Sequence, residues 1–130
     1  MSDDELLNET RRLVACERMA TAALLRSLME LDVRRLYLRE GCSSLFTYCT
    51  PVLHLGEAAA YNRIEAARAA RRFPPLLDAI EEGSLTLTAV RLLAPHFTNE
   101  NCAELMSQAR HKSKREGRDS TDDTLDIQAV

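Results

Sequence analysis

Stripe positions recur along the chain at three- and four-residue steps. From Leu6 the series runs through Thr10, Leu13, Glu17, Ala20, Leu24, Leu28 and Leu31, and Leu7, Val14 and Met19 widen it. Ser2-Asp3-Asp4-Glu5 has the spacing of a capping box just ahead of that series. No glycine or proline precedes Gly41. The pattern therefore predicts one amphipathic helix over residues 3–31, roughly 43 Å long. A single helix of that length must lie along a bundle or along another chain.

The rest of the chain is punctuated into shorter helices. Residues 32–40 continue the first helix or form a second one, closed by Gly41. Ser43 or Ser44 caps the segment Leu45–Leu53, where Pro51 forces a start, kink or break. His54-Leu55-Gly56 reads as a tight turn. Glu57 to Arg72 is a strong helix, with seven alanines in sixteen residues. Phe73-Pro74-Pro75 stops it. Leu76–Glu82 is short and closed by Gly83, and Ser84 or Thr86 caps Leu87–Leu93. Pro95 ends that helix, and Thr98-Asn99-Glu100-Asn101 starts another through Cys102, Leu105, Met106 and Ala109. No stretch alternates as a half-buried strand does. The expected fold is all-α: a compact domain of about six helices, with a long N-terminal helix and a helix-turn-helix-like unit.

Composition narrows this reading. The chain has 130 residues and 45% hydrophobic content, which fits one globular core and excludes wholesale disorder. The single domain is expected over residues 1–116. Residues 117–130, with Asp119, Asp122, Asp123 and Asp126, read as a solvated acidic tail. The acidic opening lacks the positive, apolar pattern of a secretory signal, and no run approaches a membrane span. Cys16, Cys42, Cys49 and Cys102 read as reduced thiols, so a cytoplasmic location is expected. Their spacing, and that of His54, His96 and His111, does not make a metal site. No phosphate loop, nucleophile motif or calcium loop is present, so neither metal nor cofactor is expected.

A net charge of −3 argues against a uniformly basic surface, but the charge is unevenly placed. Residues 33–72 hold seven arginines, no lysine and three acids, net +4, between two acidic flanks. Arginine suits bidentate phosphate and guanine contacts. On a helical wheel, Glu57, Tyr61, Glu65, Arg68 and Arg72 share one arc, bordered by Arg71. That arc is either a solvated face with a Glu65–Arg68 pair or a face laid against nucleic acid. The candidate DNA-facing residues are Tyr61, Asn62, Arg63, Arg68, Arg71 and Arg72, with Arg34 and Arg35 as phosphate contacts. The expected partner is double-stranded DNA. His111, Lys112, Lys114 and Arg115 serve equally as phosphate contacts or as complement to a helix dipole.

Three segments carry a family resemblance. Leu36-Tyr37-Leu38-Arg39-Glu40-Gly41-Cys42-Ser43-Ser44-Leu45-Phe46-Thr47-Tyr48-Cys49 is the first. The second is Leu55-Gly56-Glu57-Ala58-Ala59-Ala60-Tyr61-Asn62-Arg63-Ile64-Glu65-Ala66-Ala67-Arg68, running on to Arg71-Arg72-Phe73-Pro74. The third is the stretch from Gly83 to Asn101, with Leu92-Leu93-Ala94-Pro95-His96 at its centre. Together they resemble the helical N-terminal region of bacterial HNH endonuclease proteins over roughly residues 3–116. The resemblance implies an all-helical module joined to a C-terminal nuclease. A nuclease site of that kind needs two histidines and an asparagine on one compact unit. His54, His96 and His111 lie in separate contexts, so catalysis is not carried over. The expectation is a non-catalytic DNA-binding or targeting module. The competing expectation is a helical protein-interaction or dimerisation module without DNA binding, its long first helix pairing with a second copy, as a homodimer, or with another protein.

Overall fold

Ser2 opens the first helix, its Oγ accepting from the Glu5 amide at 3.1 Å. In the computed structural model, which describes residues 1–109, this helix (α1) spans Asp3–Arg34. It outruns the expected end by three residues and stops where Arg35 turns left-handed, at φ 53°. The 32–40 ambiguity resolves into that break followed by a one-turn helix, α2 (Leu36–Arg39). Gly41, at φ 79°, then carries the chain away. The expected acidic tail and the His111–Arg115 cluster lie outside the described residues.

Ser44 rather than Ser43 caps α3 (Leu45–Thr47), in a reciprocal capping box with Thr47. The chain continues as a π-helical turn, Tyr48–Val52. Pro51 sits inside that turn, where the wider coil accommodates it. His54 makes the tight turn at φ 61°, and α4 (Glu57–Arg72) follows. Pro75 starts α5 (Pro75–Glu82), and left-handed Gly83 ends it. Thr86, not Ser84, caps α6 (Leu87–Leu93), and Pro95 is absorbed in a 3₁₀ turn, Ala94–His96. Thr98 and Asn101 cap each other reciprocally ahead of α7, residues 102–109.

The architecture is all-α, with no strand among the described residues. α4 is its axis. Ala60, Ile64, Ala66, Ala67, Ala69 and Ala70 are all buried, so small side chains let α1, α5 and α6 approach closely. α1 meets α4 and α5 through Leu25 and Leu28, which are fully buried. Arg26 reaches Glu81 of α5 at 3.2 Å. Phe73 and Phe97 meet edge to face, with centroids 5.5 Å apart. Only the second half of α1 takes part in this core. Its first buried residue is Ala22, and Leu6, Leu7, Leu13, Val14 and Met19 are all exposed. Among the described residues, the first half of the helix therefore projects from the domain as an arm. No helix among the described residues is long and apolar enough to cross a membrane.

Candidate nucleic-acid interface

The outer arc of α4 is set by what its inner face must bury. With the alanines and Ile64 turned inward, Glu57, Tyr61, Arg68 and Arg72 face solvent, and Arg71 is exposed beside them. Tyr61 is 50% exposed. Asn62 and Arg63 do not join this face. Both are half-buried, and Arg63 lies about 160° round the helix from Tyr61. Arg63 Nη1 donates to the Ala59 carbonyl at 3.2 Å, a contact within its own helix.

Arg68 is engaged across the fold. Its Nε donates to Asp32 Oδ2 at 3.1 Å and its Nη2 to Oδ1 at 3.3 Å. The Glu65 carboxylate lies 4.0 Å away, the weaker of the two pairs. The hydrogen bonds that Arg68 donates to Asp32 push its pKa above the ordinary arginine value. Arg72 has different neighbours. It donates to the Ala94 carbonyl at 3.5 Å and lies 5.3 Å from the Phe73 ring centre. Arg34 pairs with Glu30 at 3.0 Å within α1. Arg35 is exposed at the left-handed break.

Spatial proximity adds residues that local pattern does not reveal. Arg91 of α6 lies over the Tyr61 ring at 5.8 Å from its centre, a cation–π contact. Asp32 is 36 residues from Arg68 in sequence. The Asp32–Arg68 bridge brings the Arg34–Arg35 end of α1 to the outer face of α4. No local signal could have shown it, because the pairing depends on how two helices cross.

The resulting face is more balanced than the +4 of residues 33–72 suggests. Asp32 and Glu65 offset Arg68, and Glu30 offsets Arg34. Of the seven arginines in residues 33–72, Arg35, Arg39, Arg63, Arg71 and Arg72 have no ion pair among the described residues. An open depression of about 440 Å³ runs along the end of α1, but both its arginines, Arg26 and Arg34, are already paired. No group of three His, Cys, Asp or Glu residues among the described residues is placed to hold a metal ion. Burial pushes the Cys49 thiol pKa up, so it stays protonated in the core. Neither a protein-family model, nor a curated protein, nor a solved structure matches this chain.

Proposed function

We propose that the chain is a non-catalytic helical module that contacts the phosphate backbone of double-stranded DNA. The observation that supports this reading is the Asp32–Arg68 bridge, because it joins two arginine-bearing segments into one exposed surface. Arg35 enters from the end of α1, and Arg68, Arg71 and Arg72 from α4, whereas Arg34 leaves α1 about 160° round from Asp32 and pairs with Glu30. Arg35 and Arg71 carry the reading furthest, since neither is neutralised by a described acid. Tyr61, backed by Arg91, supplies a flat apolar element on the same helix. A role as the accessory part of an HNH nuclease, and a cytoplasmic location, rest on the sequence reading alone.

The test is fluorescence anisotropy on random duplex DNA across a salt series. Arg35→Ala with Arg71→Ala should weaken binding and flatten the logarithmic salt dependence by about two ions. Parental affinity and slope in the double variant would remove these residues from the interface.

A further inference from the structure

The exposed arm of α1 is a continuation of its buried face. Residues 22–32 press Leu25 and Leu28 into the core, with Leu24 and Leu31 half-buried beside them. At 100° per residue, Leu6, Leu7, Leu13 and Val14 fall on that same side of the helix. They are 55%, 54%, 52% and 44% exposed, and no described element covers them. Such a stripe over about two and a half turns of helix is an unfilled packing surface.

The stripe is symmetric about Thr10. Leu6 and Leu7 precede it by four and three residues, and Leu13 and Val14 follow it by three and four. A two-fold interface requires this kind of self-matching, because residue i meets residue j and j meets i. Thr10 itself can sit on the axis without a bare hydroxyl, since its Oγ1 donates to the Leu6 carbonyl at 2.8 Å. The domain decides the direction. α4 and α5 occupy the stripe side of residues 22–32, so a parallel neighbour would collide with the domain. An antiparallel neighbour places its own domain at the opposite end.

Arg18 adds an independent observation. Its side chain lies over Gly83 at the end of α5, and its Nε is buried with no hydrogen-bond partner. With the two-fold axis at Thr10, the first turn of a second copy lies level with residues 15–17. Asp3 and Asp4 of that copy therefore bring negative charge next to Arg18, whose side chain stays over Gly83.

We propose that the first four turns of α1 pair antiparallel with the same turns of a second copy of this chain, with the two-fold axis near Thr10 and Arg18 next to the second copy's acidic first turn. Leu7 lies beside Val14 of the second copy on one side of the seam, and Leu6 beside Leu13 on the other. Glu17 opposes Asp3 and is the one adverse pair within the stripe. Roughly 22 Å of helix gives a small interface, so the dimer is weak and depends on concentration.

Sedimentation equilibrium of the full chain from roughly 1 to 300 µM should show a monomer–dimer equilibrium, with a dissociation constant on the order of 10–100 µM. Leu13→Glu should weaken it at least tenfold, with unchanged helix content by circular dichroism, because Leu13 takes no part in the core. Glu17→Leu should tighten it roughly tenfold by removing the like-charge pair. In a Cys16→Ser background, mixing Leu7→Cys with Val14→Cys chains should give a disulfide dimer, whereas Leu7→Cys alone should not. A monomer across the whole range, or undiminished association of Leu13→Glu, overturns the proposal. Efficient cross-linking by Leu7→Cys alone overturns the antiparallel arrangement.

Discussion

Arg68 holds Asp32 with two hydrogen bonds and also stands on the face proposed to meet phosphate. Both roles draw on the same guanidinium. Asp32 is mostly covered, with 18% side-chain exposure, while Arg68 is 52% exposed, so the pair is screened on one side only. An ion pair of this kind contributes about 1 kcal/mol or less to stability. Asp32→Asn should therefore lower the midpoint of thermal unfolding only slightly. It should also raise affinity for duplex DNA, because it frees the guanidinium and removes an acid from the face. Arg68→Ala should lower both. If Asp32→Asn binds DNA no more tightly than the parent, Arg68 acts as a clamp between helices and not as a phosphate contact.

At the scale of elements, α4 shows what its alanines are for. As sequence they read as helix propensity, and the helix forms over Glu57–Arg72 as that reading requires. In the fold they are spacers. Ala66, Ala67, Ala69 and Ala70 are buried at 0–2% exposure, and they set how closely other helices approach α4. Ala70→Leu should cost about 1–3 kcal/mol through overpacking. The same change at exposed Ala58 should be close to neutral. Urea denaturation of the two variants checks this, and equal losses would mean that close approach is not what these alanines supply. The outer arc was legible from the same wheel: Tyr61, Arg68 and Arg72 do face solvent together. Asn62 and Arg63 lie about 100° and 160° from Tyr61 on that same wheel, and their half-burial agrees with that placement.

At the scale of the molecule, the described chain divides into a packed domain and a projecting helix. Everything that α1 buries fully begins at Ala22. Removal of residues 1–16 should therefore leave the domain folded, with a melting temperature within a few degrees of the parent. The same truncation should abolish self-association. A large loss of stability would show that the arm supports its own domain in a way its exposed leucines do not suggest. The extra length of α1 also explains why the apolar stripe looked continuous in sequence. One face serves two environments, the core for its second half and solvent for its first.

Sequence alone determined the elements. Capping residues, glycines with positive φ and the spacing of apolar positions act within a few residues, so the helices and most of their boundaries follow from local chemistry, while the π-helical turn at Tyr48–Val52 and the 3₁₀ turn at Ala94–His96 do not. The same locality fixed which side of α4 would be polar. Only the tertiary structure decided which charges meet and which apolar stripe stays bare. Asp32 finds Arg68, Arg91 finds Tyr61, and α4 and α5 cover just one half of α1. Those outcomes depend on how helices cross at distances of tens of residues. A local pattern carries no record of that, and a net charge summed along the chain cannot show which of its members are already paired.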